Sequence, residues 1–337
     1  MKNLQIDTDL QEMFDSFLAE YSERGAGESG TLDKELWSQL EELGLLRLTG
    51  SEDKAGSGAT WAEAQALITS LAKHGVRAPY AEHDLLAGWL VDELGLESGS
   101  VMTVGEIEGS EARRVPWASA ADRIILIWRS GEEYLAQSFA PAELEIVNGS
   151  NNIGEPRDTV RVNDSAINGV SVAEEIVKQL RLKQAMVRAI QVSAALERAL
   201  EVTIDHVTAR NQFGRPLAKF QAVQHLVSDI AGESALAQAA KDTALLEAIN
   251  SDWSGENLEF LVAVARSNVG HSASVVVRNA HQAHGAIGTT IEHELHKSTR
   301  AALAWRGEYG SVASWDALVM DRSRAAGSDG LWNLIAS

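Results

Sequence analysis

The 337-residue sequence contains no cysteine. Disulfides, thiolate zinc sites, iron–sulfur clusters and cysteine nucleophiles are therefore excluded. Positive charge is scarce: 29 Lys and Arg stand against 48 Asp and Glu, a formal net charge of −19. So acidic a chain gains nothing from counterion release on nucleic acid and is repelled by an anionic membrane surface. Neither nucleic acid nor membrane is expected as a partner. Long apolar runs are also missing; Ile124 to Trp128 is apolar but far short of the ~20 residues a membrane helix needs. Met1 to Gln11 is polar and acidic, unlike a secretory signal, so the expected location is the cytoplasm. No Gly-x-Ser-x-Gly elbow and no phosphate-cradling Gly-Lys-Ser loop occurs, which removes two common catalytic designs.

What is present is an ordinary globular composition, 45% hydrophobic and 23% charged, with a length that fits one to three domains. From Leu10 to Leu96 the pattern is helical, with Phe14, Phe17, Leu18 and Tyr21 at helix spacing. Glu35–Leu43 ends at Gly44 and Ala81–Leu94 at Gly95, both glycine stops; Thr60–Lys73 lies between them, after a polar loop at Gly50–Gly58. From Ser100 to Ile167 the period changes. Arg123–Trp128, Tyr134–Phe139, Leu144–Val147 and Thr159–Val162 are rich in β-formers, separated by Gly131, Pro141, Asn148-Gly149 and Gly154. Short strands with turn punctuation predict a small β-domain. From Val172 to about Ala326 the pattern is helical again, and Pro216 is the only proline. It follows Gly214 and marks a break between two long helices. The predicted fold is mainly α with a small β-domain: a helical domain over 1–99, a β-domain over 100–170 and a helical bundle over 171–337.

Two segments resemble the signature of the acyl-CoA dehydrogenase family. One is Arg210-Asn-Gln-Phe-Gly-Arg-Pro-Leu-Ala-Lys-Phe-Gln-Ala-Val-Gln-His225; the other is Gln282-Ala-His-Gly-Ala-Ile-Gly-Thr-Thr-Ile-Glu-His-Glu-Leu-His296. The order helical, β, helical is similar to that family's three parts: an N-terminal helical domain, a small β-barrel-like middle domain, and a C-terminal four-helix bundle that mediates oligomerisation. The residues suit the role the resemblance implies. A guanidinium at Arg210 can make two charge-assisted bonds to a pyrophosphate. Phe213 offers a flat apolar face, Gly214 permits an unusual turn, and Gln221 and Gln282 can both donate and accept. In the family such positions embrace the pyrophosphate and adenosine end of FAD from a neighbouring subunit. The resemblance therefore implies FAD contacts at Arg210, Gln212, Phe213, Gln221, Gln282, Gly285 and Ala286, the last standing where glycine is usual.

The resemblance also shows what is missing. The family's reaction needs a carboxylate base that takes a proton beside the thioester while hydride passes to the flavin, so it must ionise and reach the substrate. One position for this glutamate lies in a Glu-Gly-Thr context, but this chain reads Tyr309-Gly310-Ser311. The other lies about seven helical turns before the arginine motif, which lands on Gln184, an amide without a basic lone pair. Glu308 is one residue from the expected place and roughly a quarter-turn away; Glu197 is several turns from Gln184. The β-region, from Met102 to Ser110 and Arg113 to Ala118, has no clear counterpart of the runs that hold substrate and flavin ring. Val312 and Ala313 follow Ser311 where the family uses polar residues.

The resemblance is strongest to the shortened subunit of actinobacterial α2β2 acyl-CoA dehydrogenases that oxidise steroid side-chain acyl-CoA esters. It implies FAD as cofactor, acyl-CoA as substrate, a second acyl-CoA dehydrogenase-like chain that supplies the base, and an electron-transfer flavoprotein or similar acceptor. Two alternatives stand beside it. In one, a homo-oligomeric enzyme uses Glu308 as base; in the other, a scaffold binds neither FAD nor substrate. His281, His284, His293 and His296, with Glu292 and Glu294 beside them, have spacings that zinc can use, but their place inside the flavin motif points to local packing. No metal is expected. Trp305, near the expected base position, could wall an acyl pocket or pack at an interface.

Overall fold

The computed structural model describes residues 3–23, 30–162 and 168–336; the end of the expected β-region, 163–167, lies outside them. Two compact units emerge, Gln5–Gln184 and, apart from the extreme N-terminus, Ala185–Ser337.

The first unit opens with helices α1 (Thr8–Glu23), α2 (Lys34–Glu42) and α3 (Trp61–Lys73). Asp33 starts α2 by accepting from the backbone N–H groups of Glu35 and Leu36, two of the donors a helix start leaves unpaired. Thr60 and Glu63 form a capping box at α3. The stretch expected as one helix over Ala81–Leu94 begins as a π-helix, Glu82–Gly88, and continues as α4 (Trp89–Leu94). All seven π-helical residues are buried, including Glu82, His83 and Asp84. The wider turn gathers these polar side chains inside, a device found mostly where a helix is bent to a purpose.

The β-layer is a seven-stranded mixed sheet: β1 (Met102–Glu108), β2 (Glu111–Pro116), β3 (Arg123–Ser130), β4 (Glu133–Phe139), β5 (Leu144–Val147), β6 (Arg157–Val162) and β7 (Val170–Val172). The order is β5-β6-β2-β1-β3-β4-β7, and among the described residues only β1 with β3 is parallel. Ile124, Ile125, Leu126 and Ile127 are all buried, so β3 is covered on both faces and reads as an unbroken apolar run. β1 and β2 were not anticipated. Their glutamates, arginines and glycine obscure the pattern, and Arg114, at positive φ, sits where the register shifts against β6, a bulge that breaks alternation.

The second unit is helical. Most of the 36-residue α5 (Glu174–Ala209) lies in it, followed by α6 (Gln221–Asn250), α7 (Leu258–His284), α8 (Leu295–Trp305) and α9 (Val312–Ala336). α9 runs past the expected Ala326, with non-helical backbone at Gly327. α6 and α7 form the most extensive helix pair, and α7 also packs on α9. Small residues permit the approach: a Cβ on Gly270 would lie 2.5 Å from a methyl of Val312. α7 with its following turn contains a stretch long and apolar enough to span a membrane by length and composition alone, but more than half of that stretch is buried in the protein. It carries buried Arg266 and Asn279, and reads as a core helix.

Candidate functional site

α5 ends at Ala209, and Pro216, which cannot donate a backbone hydrogen bond, follows. Between them the chain makes a tight hairpin in which Asn211-Gln212 pairs with Arg215-Pro216. Phe213 and Gly214 occupy the turn with φ of 52° and 79°, as a two-residue hairpin with positive φ at both positions requires. For a phenylalanine that geometry costs about 1–2 kcal/mol. No burial offsets the cost, because Phe213 is 90% exposed. A strained, exposed aromatic is an observation that points outward, to something beyond this chain. Its ring meets Phe220 edge-on at 6.3 Å, and the Arg215 guanidinium lies 4.2 Å from the Phe220 ring centre.

Arg210, Gln221 and Gln282 are exposed, and Gln212 is partly so. None of the four makes a side-chain hydrogen bond or ion pair within the described residues. Between Asp205 and Asp229 the sequence carries Arg210, Arg215 and Lys219 and no carboxylate, a basic stretch in an acidic protein. The second motif begins in the last turn of α7. Gly285 closes that helix at φ 65°, ψ −145°, a region essentially reserved for glycine. It and Ala286 are exposed at the start of a 3₁₀ turn, Gly285–Thr289. A side chain on Gly288 would come within 2.7 Å of the His284 Cβ.

The structure brings the two motifs together through histidine. His206, one turn before Arg210, stacks on His284, one residue before Gly285, with ring centres 4.3 Å apart and planes 22° apart. His293 meets both rings edge-on. Sequence spacing had grouped His281 with His284; in the fold His281 turns to the hydroxyl of Thr299, at 3.0 Å, and the ring of His296 bonds the carbonyl of His293. His206 was not foreseen, although its place one turn before Arg210 was a signal.

These surfaces fit the cofactor that the motifs imply. Exposed, unpaired donors at Arg210, Gln212, Gln221 and Gln282 suit a pyrophosphate and polar ring edges. Phe213 suits a flat heterocycle, and the bare backbone at Gly285 allows close approach. All are presented outward.

The expected site of the base is built differently. Glu308 is 5% exposed and accepts from the Arg188 Nε at 2.7 Å; Arg188 is 0% exposed. The same guanidinium donates to Gln191 and lies 5.0 Å from the centre of the Tyr309 ring. Arg266, 1% exposed, donates to the carbonyls of Arg306 and Glu308. Burial, and then the charge of Arg188, push Arg266 down to about 9. Glu308 thus balances two buried cations in a loop, 306–311, that those cations hold in shape. Tyr309 has φ 53°. Gly310, at φ 111°, leaves room for the Trp315 indole, which a Cβ would approach to 2.7 Å. Gln184 is buried on α5, and Trp305 is 2% exposed.

Residues 168–312 match the acyl-CoA dehydrogenase C-terminal domain family. The chain is 33% identical over 116 residues to the acyl-CoA dehydrogenase FadE34 of Mycobacterium tuberculosis, an alignment covering 34% of this chain and only 16% of that protein. It is 26% identical over 273 residues to the acyl-CoA dehydrogenase IpdE2 of Mycolicibacterium smegmatis, covering 78% and 79% of the two chains. Among solved structures, the fold matches a chain of the ChsE4–ChsE5 complex of M. tuberculosis with a TM-score of 0.83 at 18% identity, over 96% of this chain and 99% of that one. It matches a variant of the Tcur3481–Tcur3483 steroid ACAD with a TM-score of 0.81 at 17% identity, over 95% and 98%. Helical, sheet and helical parts thus follow in the order of that fold, and both sequence motifs lie in the matched C-terminal domain. Residues 168–312 thus resemble the C-terminal domain of the acyl-CoA dehydrogenases, a family of FAD-dependent flavoproteins, and the chain as a whole shares the fold of the solved structures it matches.

Proposed function

We propose that this chain is the FAD-sharing, non-catalytic subunit of a heteromeric acyl-CoA dehydrogenase. The reaction is the α,β-dehydrogenation of an acyl-CoA thioester to the enoyl-CoA, and a second acyl-CoA dehydrogenase-like chain in an α2β2 assembly supplies the catalytic glutamate. The observation that carries this reading is the state of Glu308. It is buried and bonded to a fully buried arginine, so moving it to abstract a proton would break that buried pair and take its charge away from Arg266. Removing one partner of such a pair costs about 3–5 kcal/mol. Tyr309 and Gln184 occupy the two usual positions and neither is basic near neutral pH.

FAD, when bound, supplies the hydride acceptor. Arg210 would hold the pyrophosphate and Phe213 would pack on the adenosine end, and Gln212, Gln221, Gln282, Gly285 and Ala286 would contribute further contacts. A steroid side-chain acyl group is supported by the fold match to a steroid ACAD and by the resemblance of the motifs. An electron-transfer flavoprotein or similar protein accepts the electrons.

The test is the visible spectrum of the purified chain before and after acyl-CoA is added. The expected result is a colourless or weakly flavinylated chain that acyl-CoA does not bleach. A stoichiometrically yellow chain, bleached by acyl-CoA alone and inactivated by Glu308→Gln, would overturn the proposal.

A further inference from the structure

One nitrogen in the His206–His284–His293 cluster has no role in the fold. The His284 Nδ1–H donates to the carbonyl of Ala280 at 2.7 Å, which fixes the neutral tautomer with its lone pair on Nε2. That Nε2 is buried and has no hydrogen-bond partner in the described structure, and the residue is 6% exposed. A buried unpaired acceptor costs about 1–3 kcal/mol, and here it faces two more imidazoles. One ring nitrogen from each of His206, His284 and His293 lies within 4.8 Å of the others. Tetrahedral zinc with bonds of 2.0–2.1 Å holds its nitrogen ligands about 3.3 Å apart, so the cluster must close by about an ångström and a half at most.

We infer that His206, His284 and His293 form a binding site for a divalent transition-metal ion of the zinc class, with a fourth position left to water. Three imidazoles without thiolate or carboxylate suit Zn²⁺, Co²⁺, Ni²⁺ or Cu²⁺ and not Mg²⁺ or Ca²⁺. Burial holds His284 down to about 4, and His206 is lowered by burial, then by His293 and Arg210. The Ala280 carbonyl is the outer partner that ligating histidines ordinarily possess. Two ligands must adjust. His206, partly exposed in the last turn of α5, must turn out of its stack. His293 must exchange the bond its Nδ1 accepts from the Leu295 N–H, 3.2 Å long, for a bond to the metal.

The ion would tie the last turn of α5, which leads into Arg210, to the end of α7, which leads into Gly285. Its role is a clamp that fixes the two motifs relative to each other, and it takes no part in redox chemistry. The site stands or falls independently of the subunit assignment above, because its ligands all belong to this chain.

The experiment titrates the full-length chain, freed of metal with a chelator, with CoCl₂ and follows visible absorbance. The expected result is saturation at one equivalent per chain, with d–d bands of a four- or five-coordinate nitrogen site, reversed by Zn²⁺. His206→Phe keeps an aromatic ring in the stack and deletes the ligand nitrogen; it should weaken Co²⁺ binding by about 10-fold or more. His225→Phe, on a histidine outside the cluster, should leave binding unchanged. If His206→Phe unfolds, His293→Phe replaces it with the same expectation. Absence of the bands at one equivalent, or parental Co²⁺ affinity in a folded His206→Phe or His293→Phe chain, overturns the inference.

Discussion

Glu308→Gln keeps the shape of the side chain and removes its charge. The carboxylate it replaces lies against Arg188 and supplies the loop that Arg266 grips. Both guanidiniums are essentially inaccessible to water. In the variant the buried Arg188 guanidinium loses the carboxylate bonded to it and Arg266 loses that nearby negative charge, and the cost expected for breaking a buried pair is about 3–5 kcal/mol. Against a total stability of about 5–15 kcal/mol, that is a large fraction. The assay is urea unfolding of the purified assembly at fixed protein and flavin concentration, since ligands shift apparent stability. With a slope of about 2 kcal/mol/M, the midpoint should fall by about 1.5–2.5 M. Arg188→Met combined with Glu308→Leu removes charge from both partners and should recover more than half of the loss, the coupling expected of contacting groups. Turnover per folded assembly should stay within a few-fold of the parent in both variants. A stability loss below about 1 kcal/mol, together with a ~10³-fold fall in kcat, would refute the structural role of Glu308 and make it the base.

Other consequences follow from single residues. His83 is buried, its Nδ1 accepts from the Met102 N–H, and burial, then the charge of Arg47, push it down to about 3. Neutral His83 therefore contributes stability that is complete above pH 6.5 and is lost as pH falls toward 3. Between pH 8 and pH 5 the His83 share of the loss should be about 2 kcal/mol, and His83→Gln should remove that share from the slope of the stability–pH curve. Phe213→Gly relieves the left-handed strain, which glycine's own flexibility partly offsets. Stability should stay level or rise by up to about 1 kcal/mol, while FAD affinity of the assembly falls about 10-fold, as read by flavin fluorescence. Gly310→Ala puts a methyl at positive φ against Trp315 and should cost about 1–3 kcal/mol, measured by thermal unfolding.

The fold was legible where a single physical signal dominated. Glycine stops at Gly44 and Gly95, the apolar run at Ile124–Leu126 and the break at Pro216 all appear where the pattern put them. β1 and β2 were hidden because charged residues and the bulge near Arg114 break the alternation that reveals strands. The π-helix was hidden because hydrophobic spacing does not report a widened turn. At the candidate site, Arg210, Phe213 and Gly285 were named by the resemblance of the two motifs, whereas residue type alone showed only the turn that Gly214 permits and the break at Pro216. Their convergence through His206 was not, since contacts between distant segments leave no local trace. Arg188 and Arg266 look like ordinary helix residues in sequence. Only their burial shows that Glu308 answers to them, and that is why spacing alone left Glu308 open as a base.

The central claim, that this chain completes a flavin site whose base comes from another chain, is tested most directly by recovering the tagged chain from its own host and measuring mass and flavin content together. The account expects a second acyl-CoA dehydrogenase-like chain in equal amount, with one FAD per pair. A single species carrying one FAD per chain and no partner would contradict it.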